Sequence, residues 1–320
     1  MVAEISVVTP TLGRPGEVRE LLAHLARQSV LPREVVLVDG AAGDDQRTRE
    51  AVAELAPTLP YRCRYLRHGG GTAVQRNAGI DVCEGDFVAF VDDDVRLDED
   101  FFERMLEVFA DDAEGRVGGV TGYIANQHLD PSTSPRWRWY RRLRLFKTYE
   151  PGRYDFASGY PINRYLQPPH EGLREIDFMG AGCAVWRREV FDSGLRFSPF
   201  FTGYGVLEDA HLALRAGQRW RLLENGRARC LHLRSPGGRS DCRRLGWMSA
   251  VNYRYVFVDL VPRRTLAQEL RFWRVQAVDL AIFTAALLRR PGRDRLAAVA
   301  GKLTGMAAAA RLRPERGGDA

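Results

Sequence analysis

The sequence predicts an α/β fold in which a mostly parallel central sheet is flanked by helices and followed by a helical C-terminal extension. Over the first hundred residues, short apolar runs alternate with segments of helical spacing, a pattern typical of βαβ units. The chain has 320 residues, enough for about two domains. Its composition, 45% apolar and 28% charged, is that of an ordinary globular protein with a full core.

The predicted elements follow one another closely along the first part of the chain. Apolar runs predict strands, and apolar residues spaced three and four apart predict helices. In order, these are strand Ile5–Val8, helix Glu17–Gln28, strand Val35–Val38, helix Arg47–Leu55, strand Tyr61–Leu66, helix Thr72–Val82 and strand Phe87–Val91. A second organised block runs from Asp177 to about Leu233. The parallel strands place their carboxyl ends at one edge of the sheet, where ligands bind in this class of fold.

We expect two domains. The first covers residues 1–235 and divides into two halves, 1–125 and 126–235. Residues 236–320 form a basic helical extension that Pro291-Gly292 interrupts, and its last residues, RPERGGDA, are expected to be disordered. One helical stripe there contains Leu266, Leu270, Trp273 and Ala277. We expect this helix to pack on the first domain or to lie on a membrane surface without spanning it.

Charge and cysteine content narrow the class of protein. The 47 basic and 41 acidic residues give a net charge of +6, which suits anionic small molecules or anionic surfaces. Five scattered cysteines without a CxxC pair argue against a zinc knuckle or a disulfide framework. The N-terminus lacks the pattern of a signal peptide, and no apolar run reaches about 18 residues. We expect a cytoplasmic protein, with peripheral contact at the inner face of the membrane left open.

Three adjacent aspartates, Asp92, Asp93 and Asp94, directly follow the strand Phe87–Val91. A single aspartate there would often cap the next helix. Three neighbouring carboxylates repel one another unless a cation neutralises them. Hard oxygen ligands suit Mg²⁺ or Mn²⁺, which commonly bridge carboxylates to phosphate oxygens. The cluster therefore predicts a divalent metal at the sheet edge.

A second acidic pair, Glu208-Asp209, begins a predicted helix, where acidic residues also favour the positive end of the helix dipole. Gly180 and Gly182 permit close approach of the backbone to a ligand, although packing explains such glycines as well. The segment 136–147 interleaves aromatic residues with arginines. In the absence of a nucleic-acid motif, it suits an acceptor, a lipid surface or a solvated helix.

Six segments in order resemble family 2 glycosyltransferases of the GT-A fold: ISVVTPTLGRP, VVLVDG, AVQRNAGI, FVAFVDDDV, GAGCAVWRREVF and GVLEDAHLALRAG. They cover roughly residues 4–233. The resemblance implies that residues 1–235 form the catalytic domain, with a nucleotide-binding half over 1–125 and an acceptor-side half over 126–235. The resemblance implies an inverting transfer of a sugar from a nucleotide-diphosphate donor to an acceptor hydroxyl. The leaving group is then a nucleoside diphosphate, whose developing charge needs a Lewis acid.

The resemblance also implies residue roles. The implied metal ligands are Asp94, which binds the metal directly, Asp92 and His232. The alternative for His232 is a purely structural role. For the donor, they are Thr9, Pro10, Thr11, Asp39, Arg76, Asn77, Asp92 and Asp93. Asp39 would contact the nucleotide base. The alternative for Asp39 is a turn residue, and the alternative for Arg76 is a solvated residue on a helix. Asp209 would be the general base with Glu208 orienting the acceptor, and Gly180, Ala181 and Gly182 would line the acceptor side.

Two other classes of function stay open at this point. A sugar-1-phosphate nucleotidyltransferase shares a similar sheet and metal, but TPTLGRP is a poor version of its glycine-rich loop. A non-enzymatic module that binds membranes or polyanions would leave both acidic pairs unexplained. The expected partners are a nucleotide-sugar donor, with UDP or dTDP favoured, and an unidentified hydroxyl acceptor. No nucleic acid is expected.

Overall fold

The computed structural model describes residues 3–235 and 241–313. The strands are β1 Ile5–Thr11, β2 Glu34–Asp39, β3 Arg62–Arg67, β4 Phe87–Val91, β5 Val95–Leu97, β6 Val117–Ile124, β7 Tyr154–Asp155, β8 Tyr160–Pro161, β9 Leu173–Ile176, β10 Cys183–Arg187 and β11 Arg221–His232. The helices are α1 Pro15–Leu25, α2 Arg47–Leu55, α3 Thr72–Val82, α4 Phe101–Ala110, α5 Pro135–Arg142, α6 Glu189–Asp192, α7 Glu208–Ala216, α8 Cys242–Leu260, α9 Leu266–Arg289 and α10 Arg293–Ala309.

The central sheet of the described chain has nine strands in the order β3-β2-β1-β4-β10-β6-β11-β5, and β9 pairs with β11. The first four strands are parallel, as predicted. Strand β10 runs antiparallel to both β4 and β6, which makes the sheet mixed. Strands β1, β2 and β4 are buried along their whole length, because both faces of a parallel sheet are covered. The predicted fold class is confirmed.

The positions at which strands end and helices begin determine which residues lie at the sheet edge. Helix α3 and strand β4 have the predicted limits, whereas β1 continues to Thr11 and α1 begins at Pro15. Proline suits the first helical turn, where its missing N–H has no partner to lose. Residues 9–11 therefore belong to the end of a buried strand. Their side chains are fixed by the sheet rather than by a free loop.

Contacts divide the chain into two compact units. The first contains the described residues up to His128, Gln167–Gly203 and Glu208–Ser235, and it holds the nine-stranded sheet. The second contains Leu129–Leu166, Tyr204–Leu207 and helices α8 to α10. The expected disordered tail, beyond Arg313, lies outside the described residues.

The second unit has its own apolar core around helix α5. Trp137 and Tyr140 are buried there together with Leu145, Phe146, Tyr160, Ile162, Leu166 and Val275 of α9. Polar groups inside this core are paired. Arg136 Nη2 lies 2.9 Å from Asp279 Oδ1 on α9, and the Tyr140 hydroxyl also donates to this oxygen. Four of the twelve residues of the predicted arginine-aromatic segment 136–147 are therefore core rather than surface.

Helix α9 uses a different face for packing than the leucine stripe suggests. Phe272, Val275, Gln276 and Asp279 are its buried residues. Leu266 and Leu270 are 76% and 62% exposed. The stripe is thus directed to solvent. In residues 3–235 and 241–313, no helix combines the length and apolarity needed to cross a membrane.

Candidate functional site

Each aspartate of the 92–94 cluster has its own neighbours, beginning with the central one. Asp93 is buried and accepts hydrogen bonds from Thr11 Oγ1 at 2.7 Å and from Arg14 Nη1 at 2.9 Å. Burial raises the pKa of Asp93 to about 6, although both donors oppose this effect. Asp93 is therefore anchored to the end of β1 and the residues that follow it.

Asp94 lies beside the end of β11. Strand β5 pairs with β11 so that Val95 is opposite His232. His232 Nε2 is 3.2 Å from Asp94 Oδ1, and the Ser235 N–H donates to Asp94 Oδ2 at 2.9 Å. Burial alone would raise the pKa of Asp94, but the His232 ring and the Ser235 N–H hold it below its ordinary value. Asp94 is thus favoured as a carboxylate, the form that binds metals.

Asp92, Asp94 and His232 fit a divalent metal. One ligand atom from each lies within 4.8 Å of the others. His232 Nε2 is buried without a hydrogen-bond partner, because its short contact with Asp94 lacks hydrogen-bond geometry. Its other ring nitrogen, Nδ1, lies 2.7 Å from the Gln127 amide. Two carboxylates and an imidazole, with one nitrogen unpaired and directed at them, suit Mg²⁺ or Mn²⁺.

Arg76 joins the metal cluster to the second acidic pair. Its side chain is buried, and Nη2 donates to Asp92 Oδ1 at 2.8 Å while Nη1 donates to Glu208 Oε1. Burial opposes the charge of Arg76, yet Asp92, Glu208 and Asp209 raise its pKa. It is therefore a permanent cation between two groups of carboxylates. A solvated helix arginine, the alternative for this residue, does not describe its buried position.

Glu208 and Asp209 begin α7 in different environments. Glu208 is buried, accepts from Thr72 Oγ1 at 2.5 Å and from Arg76, and has an unpaired Oε2. Burial raises its pKa to about 7. Burial also raises the pKa of Asp209, while Arg76 and the N–H groups of Ala210 and Ala181 oppose this. Glu208 is held in place by its partners, whereas Asp209 Oδ1 accepts from its neighbour Ala210 at 2.7 Å.

The segment Gly180-Ala181-Gly182, before β10, passes between the two acidic groups. A Cβ added at Gly182 would lie 2.8 Å from Asp92 Oδ2, and one added at Gly180 would lie 3.4 Å from Asp209 Oδ2. The Asp92 N–H donates to the Gly182 carbonyl at 3.2 Å. Glycine at 182 therefore leaves the space that the Asp92 carboxylate occupies.

Asp39 ends β2, next to the end of β1. The N–H groups of Gly13 and Ala41 donate to Oδ1 at 3.0 and 2.9 Å, and the Tyr65 hydroxyl donates to Oδ2 at 3.0 Å. A carboxylate accepts about four hydrogen bonds, so Oδ2 retains capacity for a further donor. Thr9 Oγ1, buried on neighbouring β1, has no hydrogen-bond partner. Pro10 lies beside it in the same strand.

Asn77 is directed elsewhere. Its amide donates to the Phe197 carbonyl and accepts from the Phe197 N–H, both at 2.9 Å.

Four contacts were not predicted from the sequence: Arg14 on Asp93, Thr72 on Glu208, Gln127 on His232 and Ser235 on Asp94. Only Arg14 carried a signal, since it lies in the TPTLGRP segment at the predicted sheet edge. The other three depend on distant parts of the chain.

Known proteins resemble this chain in sequence. ExoM, a succinoglycan biosynthesis protein of Rhizobium meliloti, is 32% identical over 205 residues, which are 62% of this chain and 60% of the relative. The uncharacterized glycosyltransferase YwdF of Bacillus subtilis is 30% identical over 172 residues, 51% of this chain and 59% of the relative. The matched region thus spans about 60% of the length of these relatives.

A solved structure resembles the fold across nearly the whole chain. The mannosyltransferase PcManGT from Pyrobaculum calidifontis, in complex with GDP-Man and Mn²⁺, superposes with a TM-score of 0.57 and 18% identity. The match covers 96% of this chain and 86% of that chain. The sequence model of the family described as Glycosyl transferase family 2 matches residues 6–195, more than half of the chain. The chain therefore belongs to glycosyl transferase family 2.

Proposed function

We propose that this chain transfers a sugar from a nucleoside-diphosphate sugar, UDP- or dTDP-linked, to an acceptor hydroxyl with inversion at the anomeric carbon. The observation that carries the proposal is the buried Arg76 guanidinium, which bonds Asp92 of the metal cluster and Glu208 of the second pair. A donor-phosphate site and a base site are the two parts that such a transfer needs. PcManGT, which shares the fold, binds GDP-Man and Mn²⁺.

The donor side is built from β1, β2 and β4. The free acceptor capacity of Asp39 Oδ2 suits a base N–H, and Thr9 Oγ1 offers a further polar contact. Asp92, Asp94 and His232 would hold Mg²⁺ or Mn²⁺, which neutralises the charge of a leaving nucleoside diphosphate when bound. Asp93 contributes by fixing Thr11 and Arg14 at the same edge. Asn77 supports the site through the Phe197 backbone.

The acceptor side lies at the start of α7. We assign Asp209 as the general base, which takes the proton of the acceptor hydroxyl while its oxygen attacks the anomeric carbon. A raised pKa brings this carboxylate nearer to neutral pH, where a general base works best. Inversion follows from a single displacement, because nucleophile and leaving group occupy opposite faces of the sugar. Glu208 positions Arg76 and Thr72, and Gly180, Ala181 and Gly182 border the acceptor.

The test is calorimetric titration of UDP, dTDP and GDP with and without Mn²⁺, paired with an assay of nucleoside-diphosphate release from the matching sugar donors. We expect binding that depends on Mn²⁺ and is tightest for UDP or dTDP. Asp94→Ala should abolish the Mn²⁺ dependence, because the substitution removes the proposed metal-binding carboxylate between His232 and Ser235. Unchanged affinity and unchanged Mn²⁺ dependence in Asp94→Ala would refute the metal assignment.

The same assay separates the proposal from its rivals. A nucleotidyltransferase would release pyrophosphate from a nucleoside triphosphate and would not need Asp209. A binding module without enzymatic activity would show no Mn²⁺-dependent nucleotide affinity. We also propose a cytoplasmic location, because the five cysteines, all free, suit a reducing compartment.

A further inference from the structure

The second unit has an exposed surface on which apolar and basic side chains alternate. On α9, Leu266, Leu270, Ala277, Ala281 and Leu288 are exposed and recur at spacings of four and seven residues, so they share one side of the helix. This stripe extends for about 33 Å at 1.5 Å per residue. Leu288 is 76% exposed, and Leu296 at the start of α10 is 59% exposed. Water-exposed leucines in such a row suggest a partner that covers them.

Arginines cluster at the C-terminal end of the stripe. The connection between α9 and α10, taken together with the last residue of α9 and the first turn of α10, exposes Arg289, Arg290, Arg293 and Arg295, with Asp294 as the acidic residue among them. None of these arginines forms an ion pair within residues 3–235 and 241–313. An apolar helix end followed by four cations resembles an interfacial helix, which inserts leucines and leaves arginines at the headgroups.

Helix α5 adds a second group of cations beside the stripe. Arg274, on the exposed side of α9, donates to the Leu143 carbonyl at the end of α5 at 2.6 Å. The exposed side of α5 carries Arg138, Trp139, Arg141 and Arg142. Trp139 is 51% exposed, and the Arg142 guanidinium lies 5.9 Å from its ring centroid. Tryptophan and arginine together are typical of the membrane interface.

We propose that the second unit docks on an anionic phospholipid membrane through the α9 stripe, the α9–α10 connection and the exposed side of α5. The arginines carry charge complementary to anionic headgroups, and each such residue strengthens attraction to an anionic leaflet. A soluble polyanion would satisfy the arginines but would leave the leucines exposed. The helices would lie in the interface, because no described helix can span a bilayer. This inference does not rest on the proposed glycosyl transfer.

The experiment is sedimentation of the full chain with vesicles of phosphatidylcholine alone or mixed equally with phosphatidylglycerol, at low and high salt. We expect the mixed vesicles to bind at least about tenfold more tightly, with weaker binding at high salt. Leu270→Gln combined with Leu288→Gln should reduce binding about tenfold, since two apolar side chains are withdrawn from the bilayer. Arg289→Gln combined with Arg290→Gln should weaken binding to the mixed vesicles and lower its salt dependence in part, because two of the eight arginines of this surface lose their charge.

Matched controls come from exposed residues of the first unit. Leu173 is 56% exposed on β9 and Arg49 is exposed on α2, so Leu173→Gln and Arg49→Gln should bind vesicles as the parent chain does. Nucleotide affinity should be unchanged in every variant, which separates this test from that of the catalytic proposal. Absence of binding to mixed vesicles at low salt would overturn the proposal. Full binding by the double leucine variant would also overturn it and would indicate a polyanion site.

Discussion

At the scale of single residues, the three aspartates of the 92–94 cluster are separated by their partners. Asp92 bonds Arg76, Asp93 bonds Arg14, and Asp94 lies against His232. Sequence reasoning attributed the relief of their repulsion to a metal. In the structure, two arginines and a histidine contact the three carboxylates, and two of these carboxylates belong to the candidate metal site.

Asp209→Asn should lose at least about 10²–10⁴-fold in turnover, because a neutral amide cannot accept the acceptor proton. Its affinity for nucleotide should be retained, since the donor contacts come from β1, β2 and β4. Both quantities can be measured by nucleoside-diphosphate release and by titration with UDP. Glu208→Gln is the control, and we expect it to lose less turnover. Near-normal transfer by Asp209→Asn would eliminate it as the base.

Gln127→Leu should weaken Mn²⁺ binding about 10–100-fold, because this buried amide lies 2.7 Å from His232 Nδ1 and orients the ring. A half-turn of the amide group places its oxygen beside the ring, where it accepts from Nδ1–H. This leaves the Nε2 lone pair for the metal. Direct titration of Mn²⁺ into nucleotide-free protein gives the affinity.

Gln127→Glu provides the rescue in this experiment. It keeps an acceptor for Nδ1–H, so Mn²⁺ affinity should match or exceed that of the parent chain. If Gln127→Leu binds Mn²⁺ normally, or if Gln127→Glu is as weak as Gln127→Leu, the orienting role is wrong.

At the scale of elements, the sequence predicted those strands and helices whose formation depends on local sequence. The buried runs of β2 and β4 and the helical spacing of α3 were found, because burial on both faces and an apolar stripe leave direct signals. The direction of β10 could not be predicted, since it depends on pairing with β4 and β6, which are distant in sequence. The buried side of α9 was missed for a related reason. Phe272 and Asp279 bind partners that periodicity does not show.

The approach of the Gly180–Gly182 segment to the aspartates gives a matched pair of substitutions. Gly182→Ala places a methyl group 2.8 Å from Asp92 Oδ2, too close for the carboxylate to stay. We expect Mn²⁺ affinity to fall at least about tenfold with little change in unfolding temperature, because a single side chain moves. Gly180→Ala meets Asp209 at 3.4 Å, an ordinary contact, and should bind Mn²⁺ normally. Equal Mn²⁺ affinities in the two variants would contradict this account.

At the scale of the molecule, the candidate site is assembled from the ends of five strands and the starts of two helices. Asp39, the 92–94 cluster and the glycines were predicted as site residues because their motifs occur in a family order. The second unit was not anticipated in its present form. Its core joins α5 to α9 across more than 120 residues, as the bond between Arg136 and Asp279 shows. No local pattern encodes such a pairing.

Lys302, fully buried in α10, should make stability depend on pH. It donates to Gln276 Oε1 at 2.6 Å and to the Ser249 carbonyl at 3.0 Å, yet burial lowers its pKa to about 8 from 10.5. Between these pH values the unfolded chain binds more protons than the native one. Native stability contributed by this group therefore rises with pH over that range.

The measurement compares the free energy of unfolding of the parent chain and Lys302→Met from pH 7 to 10.5. Above pH 8 we expect the free energy of unfolding of the parent chain to rise relative to that of Lys302→Met, by an amount on the order of 3 kcal/mol. The exposed Lys147, the other lysine of the chain, supplies the control Lys147→Met. A pH-independent difference would show that Lys302 keeps an ordinary pKa.

The discontinuous second unit also limits how this protein can be engineered. A chain shortened to end at Ser235 would keep residues 129–166 but lose Val275 and Asp279, the α9 residues that pack against Tyr140 and pair with Arg136. Trp137, Tyr140 and Phe146 would then be partly exposed to solvent, and we expect the shortened chain to aggregate. A chimera that exchanges the C-terminal helices with those of a relative must exchange residues 129–166 as well. The two segments form one structural module, although 65 residues of the first unit separate them in the sequence.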